Sequence, residues 1–66
     1  MTYTVVATPE PDGQTIHFEV PDLADTSTVA LDLLEGEVLI RQAIAIQLGT
    51  DIAAFDLEFI EATPGL

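Results

Sequence analysis

The chain has 66 residues, of which 48% are hydrophobic, and this composition excludes a disordered segment. The length allows one small domain, and because its core would be marginal, we expect oligomerisation to stabilise it. It contains no cysteine, which excludes disulfide bonds and thiolate metal sites. Twelve Asp and Glu residues against a single Lys or Arg give a formal net charge of −11, which excludes a surface that binds nucleic-acid phosphates or an anionic membrane.

The first two predicted elements are β-strands joined by a tight turn. Residues 2–8 are rich in Thr, Val and Tyr and predict a strand. Residues 14–20 alternate apolar and polar side chains, which predicts a second strand with one buried face. Two prolines and the pair Asp12-Gly13 separate these segments, so we expect a hairpin. The residues expected to face the core are Tyr3, Val5, Ala7, Ile16, Phe18 and Val20.

Two further strands are predicted on either side of a helix. Residues 26–29 are mostly β-branched and predict a minor third strand. Residues 55–61 alternate apolar and acidic side chains and predict the last strand. The inward residues of that strand are expected to be Phe55, Leu57 and Phe59. The expected organisation is a single domain over residues 1–61 with a flexible tail at 62–66.

A single long segment, residues 31–49, has helical periodicity and predicts the one helix of the domain. Its start is expected between residues 28 and 32, with a threonine cap and acidic side chains in the first turn. Gly36 lowers the helix propensity, so we expect it to permit close approach to the sheet or to a second helix. Gly49 is expected to end the helix in the left-handed conformation.

The predicted helix carries more apolar surface than one sheet covers. At about 100° per residue, one stripe is expected to form ordinary core, namely Leu33, Ile40, Ile44 and Leu48. A second set lies on the two flanks and is predicted to be a partner or dimer interface, namely Leu34, Val38, Leu39, Ala45 and Ile46. An alternative is that a curled sheet and the loop at 22–25 cover these flanks.

The negative charge favours a basic protein as partner, because the field would steer such a protein toward this chain. The acidic surface is expected to include Glu19, Asp22, Asp25, Asp56 and Glu58. An alternative is that the acidity only keeps a small protein soluble, or that proteins of the source organism are acidic in general. The N-terminus lacks the features of a signal peptide and no apolar run is long enough to span a bilayer, so we expect a cytoplasmic protein.

Catalysis is poorly supported by the residues present. His17 lies on the polar face of a predicted strand without a cysteine partner, and Ser27 has no nucleophile elbow around it. Gly13 and Gly36 are not part of a phosphate-binding loop. Arg41 follows Glu37 by four residues, which predicts a helical ion pair rather than a substrate contact. We therefore expect a non-enzymatic protein without a catalytic, cofactor or metal site.

The order strand, strand, short strand, helix, strand predicts an α+β fold, a two-layer sandwich with one helix packed across a small, mostly antiparallel sheet. Four features within this order are shared with a known family: the Asp12-Gly13 turn, the segment VPDL at 20–23, the helix ending IRQAIAIQLG at 40–49 and the closing FDLE at 55–58. In these features the chain resembles the HicB antitoxin family in its single-domain form. The match covers nearly the whole chain and rests on order and spacing.

The resemblance implies a partial ribonuclease-H-like domain, without the acidic catalytic set, that dimerises and neutralises a small basic RNA-cleaving toxin. Members of the family commonly continue Pro-Asp-Leu with Pro-Gly-Cys, whereas Ala24, Asp25 and Thr26 stand here. Full-length members also carry a C-terminal DNA-binding module that is not seen in these 66 residues, so operator binding is not implied. Compact members are typical of actinobacteria and their phages, so a phage-encoded accessory protein is a further reading.

Two other functions remain open at this point. An acidic inhibitor that mimics DNA would need regularly spaced carboxylates on one face, for which the candidates are Glu10, Asp12, Asp22, Asp25, Glu58 and Glu61. A weak metal-dependent enzyme would need a set of nucleophile, base and orienting group, which the sequence does not offer.

Overall fold

The computed structural model describes residues 1–62, which form four strands and one helix. In chain order these are β1 (Thr2–Pro9), β2 (Ile16–Glu19), β3 (Ser27–Ala30), α1 (Leu33–Leu48) and β4 (Asp56–Glu61). The sheet order is β3-β2-β1-β4, with β4 parallel to β1 and the other two pairings antiparallel. The predicted α+β class, the element order and the mostly antiparallel sheet with one helix across it are therefore confirmed.

The predicted hairpin joins β1 to β2 through a turn that Asp12 stabilises. One oxygen of its carboxylate accepts hydrogen bonds from the amides of Gln14 at 2.8 Å and Thr15 at 3.0 Å, and the other accepts from the Thr15 hydroxyl at 2.9 Å. These donors, the Gln14 amide foremost, lower the pKa of the Asp12 carboxyl below its ordinary value because they favour its charged form. Gly13 follows with a positive φ of 71°, as an Asp-Gly turn requires.

The helix begins later than predicted, and an aspartate rather than a threonine caps it. Thr28 lies within β3, whereas the Asp32 carboxylate accepts a hydrogen bond from the Glu35 amide at 2.8 Å. Glu35 in turn accepts from the Leu31 amide at 2.9 Å, so acidic side chains satisfy two donors at the positive end of the helix. Gly49 ends the helix at φ 67°, and the Thr50 amide reaches back to the Ala45 carbonyl, which confirms the predicted stop.

Gly36 lies directly over the aromatic ring of Phe18 on β2, which confirms that it permits close approach to the sheet. A Cβ atom built at this position would overlap three atoms of that ring. Phe18 is completely buried, together with Val5, Ile40 and Ile44. The core therefore lies where the middle of α1 crosses the short strands β2 and β3.

Two helix residues predicted to belong to the core are not buried. Leu33 is 50% exposed and Leu48 is 40% exposed, whereas Ile40 and Ile44 between them are fully buried. The reason is a mismatch of lengths: the 16-residue helix is about 24 Å long, while each four-residue strand beneath it spans only about 13 Å. Both ends of the helix consequently extend past the strands that cover its centre.

The predicted inward faces of the strands are largely confirmed. Buried positions on them are Val5, Ala7, Phe18, Val20 and Phe55, and partly buried ones are Tyr3, Ile16 and Leu57. Phe59 also lies on the inner face, where its ring packs edge-on against Phe18 at 6.2 Å, but more than a third of it stays exposed. Ala62, assigned to the tail from the sequence, still donates its amide to the Ala7 carbonyl, and the rest of the predicted tail lies outside the described residues.

Candidate interaction surfaces

An open groove runs between the first turns of α1 and the inner face of β4. We name it the β4 groove; it has a volume of about 360 Å³ and is lined by Leu33, Leu34, Glu37 and Phe59. Leu34 is 74% exposed and Leu33 is 50% exposed, so both leucines at the start of the helix offer apolar surface to solvent. Three of the four lining side chains are therefore apolar, and the fourth is a carboxylate.

The position of the helix explains why this groove is open. The helix packs chiefly against β3 and β2, which lie at one side of the sheet. β4 lies at the opposite edge, because it joins the sheet beyond β1. The inner face of β4 therefore lacks the helical cover that β2 has, and Phe59 remains accessible from solvent.

A second apolar surface lies at the other end of the helix. We name it the helix-end patch; its lining residues are Gln42, Ala45, Ile46, Gly49, Thr50 and Ile52. Ile46 is 83% exposed and Ile52 is half exposed, so neither is protected by the chain itself. Among the described residues that line it none carries a charge, in contrast to the β4 groove, although the exposed Asp51 lies between Thr50 and Ile52 in the chain.

Ala45, predicted as a partner or dimer interface residue, lies largely inside the fold, although it borders the helix-end patch. It is only 6% exposed and belongs to the hydrophobic core. The same prediction named three residues that are exposed, Leu34, Val38 and Ile46. It also named Leu39, which is 36% exposed. The loop at 22–25 does not cover these four, so the alternative in which the whole predicted interface is buried does not hold for them.

The single cation of the chain is used inside the fold. The Arg41 guanidinium donates to the carbonyls of Ile52 and Phe55, both at 3.0 Å, and lies 5.6 Å from the centre of the Phe55 ring. The predicted pair with Glu37 is present at 3.9 Å but is the longer contact. Arg41 therefore fixes the segment between α1 and β4 and is not directed at a ligand.

The predicted acidic residues are all exposed, but they lie on different parts of the domain. Glu19, Asp56 and Glu58 are on the sheet face opposite the helix, since the inward residues alternate with them. Asp22 and Asp25 lie in the loop after β2. Asp25 adopts a positive φ of 60° there, which aspartate tolerates better than most residues.

The six carboxylates considered for DNA mimicry do not share one face. Glu10 and Asp12 lie in the loop at one end of β2, whereas Asp22 and Asp25 lie in the loop at its other end. Glu58 and Glu61 are three residues apart on β4 and therefore point to opposite faces of the sheet. The regular single-face spacing that such mimicry needs is absent from this set.

The structure also places the residues considered for catalysis. His17 pairs in register with Val29 and Thr8, while Ser27 pairs with Glu19. Within residues 1–62, no hydrogen bond joins His17 to a serine or a carboxylate, and no group of three or more His, Asp or Glu side chains could hold a metal ion. In the same part of the chain, no helix combines the length and apolar character needed to cross a bilayer.

No protein-family model matches the chain, and neither does any curated protein or solved structure. The likeness to the HicB family therefore stays a prediction that rests on the turn, the helix ending and the closing strand described above. What the chain does must be argued from its two apolar surfaces and its charge.

Proposed function

We propose that this chain is a non-enzymatic, acidic protein-binding module that binds and neutralises a basic partner protein in the manner of an antitoxin. The observation that carries the proposal is the β4 groove: an apolar cleft whose one charged lining residue, Glu37, is an acid. Apolar clefts of this kind bind a complementary apolar surface, and the surrounding negative charge selects a partner of opposite sign.

The charge distribution strengthens this proposal. Because Arg41 is occupied by backbone carbonyls, the exposed ionised side chains that a partner meets are almost all carboxylates. A basic protein is therefore drawn toward any face of the domain, and the groove provides the site where it can bury apolar area. Association of this type weakens steeply as salt is added.

The helix-end patch supports a second element of the proposal, a homodimer. Two copies that carry −11 each repel one another, so a contact between them is favoured where no carboxylate lines the surface. The exposed Ile46 and Ile52 supply apolar area for such a contact. Screening lowers the repulsion, so dimerisation is expected to strengthen with salt whereas partner binding weakens.

The test uses two variants, each of which alters one of the two surfaces and leaves the other intact. The partner to try is the product of a short basic reading frame adjacent to this gene, titrated by calorimetry and assayed for ribonuclease activity. Leu34→Gln removes apolar area from the groove and is expected to raise Kd at least about tenfold, since burying a leucine contributes about 1.5–3 kcal/mol. Ile46→Gln is the matched control, because it makes the same chemical change outside the groove.

The same pair of variants is then examined for self-association. Ile46→Gln is expected to weaken the dimer while Leu34→Gln leaves it unchanged. The proposal fails if neither the adjacent basic protein nor any host protein binds, or if both variants weaken partner binding equally.

A further inference from the structure

One edge of β4 has free backbone hydrogen-bonding groups. The amides of Asp56 and Ala62 donate to the Met1 and Ala7 carbonyls on β1. Because successive residues of a strand direct their N–H and C=O groups to opposite sides, the even-numbered residues of β4 face β1. The odd-numbered residues, Leu57, Phe59 and Glu61, therefore direct theirs away from the sheet. Within residues 1–62, no hydrogen bond to the backbone of these three is formed on that side.

The two faces beside this edge differ in chemistry. On the helix side lies the β4 groove, where Phe59 and Leu34 offer apolar surface. On the opposite side Asp56 and Glu58 are both exposed, two residues apart along the strand; Ile60 follows them on that side, and Glu61 ends the strand on the groove side. A strand placed against this edge would alternate its own side chains between the two faces, one entering the groove and the next lying beside a carboxylate.

We propose that the edge of β4 binds an extended segment of the partner, which adds a fifth strand to the sheet and alternates apolar residues with Lys or Arg. The inference rests on the proposed function and specifies how the partner binds. Main-chain hydrogen bonds to Leu57, Phe59 and Glu61 supply the attachment. The groove selects the apolar side chains, and Asp56 and Glu58 select the basic ones.

A second copy of this chain does not fit the same edge. Three of the six residues of β4 are acidic and none is basic, so pairing β4 with itself would gather six carboxylates along one seam with no cation among them. Like charges this close together repel one another. The charge complementarity therefore points to a basic segment and leaves self-association to the uncharged helix-end patch.

The direct test is the binding of a synthetic peptide, acetylated and amidated at its ends, in which four lysines alternate with three valines. Any cationic peptide is attracted to an acidic protein, so two isomeric derivatives are the controls. One carries methyl groups on the backbone amide nitrogens of its three valines, and the other carries them on the backbone amide nitrogens of three of its four lysines. Side chains and charge stay equal, but each methyl group removes a backbone donor. We expect one methylated isomer to bind at least about tenfold more weakly than the parent peptide. Equal affinity of all three peptides would overturn the proposal.

A variant of the protein tests the edge from the other side. Glu61→Pro removes the outward N–H of residue 61 without affecting the hydrogen bonds between β4 and β1, and proline is tolerated where a strand N–H faces solvent. Glu61→Gln makes the same change in charge and keeps the N–H, so it is the matched control. We expect the proline variant to bind the parent peptide several-fold more weakly than the glutamine variant. Equal binding by two folded variants would count against the edge.

The outcomes separate this inference from the proposed function. If the peptides bind equally well but Leu34→Gln still weakens binding of the basic protein, the partner uses the groove without adding a strand, and only the present inference fails. If neither the parent peptide nor the basic protein binds at all, the proposed function fails with it. Circular dichroism of each variant establishes that the comparison is made between folded proteins.

Discussion

Replacing Gly36 with alanine tests the packing on which the position of the helix depends. On helix propensity alone, Gly36→Ala should stabilise the protein by about 1 kcal/mol. The added methyl group, however, would overlap the ring of Phe18, which is fully buried, so the ring or the helix would have to shift. Overpacking of this kind costs about 1–3 kcal/mol, and the severe overlap places this site at the upper end. We therefore expect a net loss of about 1–2 kcal/mol.

Urea unfolding and thermal unfolding, each followed by circular dichroism, measure this loss. For a domain of this size, about 1 kcal/mol corresponds to roughly 4–8 °C in Tm, so the expected decrease is readily observed. Phe18→Leu removes the ring atoms that the methyl group would meet, at the cost of a smaller core side chain. In that background Gly36→Ala is expected to be neutral or stabilising. The double-mutant cycle should therefore give a coupling of about 1–3 kcal/mol.

The result that would refute the reasoning is a Gly36→Ala protein that is more stable than the parent by about the propensity difference. The helix would then lie farther from β2 than the structure places it, and the β4 groove would have a different shape. A loss of stability that is equal with Phe18 and with Leu at position 18 would also count against the contact, since the cause would lie elsewhere.

Three further predictions follow from the charge and the exposed residues. Ile46→Glu should lower the dimer fraction in sedimentation velocity without changing the urea midpoint. Leu39→Glu should also destabilise the monomer, because the Leu39 side chain is mostly covered. If the Ile46 variant unfolds, Ile46 belongs to the core. Asp12→Ala should lower the urea midpoint at neutral pH, because the mutation removes the hydrogen bonds that the carboxylate accepts in the turn. The difference from the parent should shrink below about pH 4, as the pH falls through the lowered pKa of the Asp12 carboxyl. A difference that grows in acid would contradict this. Raising NaCl from about 0.1 M to about 1 M should raise the Tm. The added salt shortens the range of repulsion among the twelve acidic residues from about 10 Å to about 3 Å. A falling Tm would exclude self-repulsion as a main cost of folding.

Local patterns predicted much of the fold. Alternation placed Phe18 and Val20 on the inner face of the sheet, and the Gly36 position indicated a close approach that the structure shows. These features depend on neighbours along the chain, which a sequence displays directly.

Features that depend on distant segments were not predictable in the same way. Periodicity gives the direction of Leu33 and Leu48 around the helix, but it does not show that the strands beneath end before them. Arg41 binds carbonyls of the segment that follows the helix, whereas the sequence indicated only the nearer Glu37 partner. The β4 groove likewise arises because β4 joins the sheet beside β1, a pairing between residues more than fifty positions apart.

Because Arg41 is bound within the fold, tryptic cleavage after this residue can report unfolding of the helix. Trypsin cuts after Lys or Arg, and the sequence contains one such residue, in the middle of α1 with its side chain bound to the segment that follows. The bond between residues 41 and 42 can be cut only when the helix opens, so the rate of tryptic cleavage reports the fraction of molecules in which α1 is unfolded. A ligand that binds the folded domain and contains no Lys or Arg of its own should slow that single cut in proportion to its occupancy, which provides a label-free assay for binding.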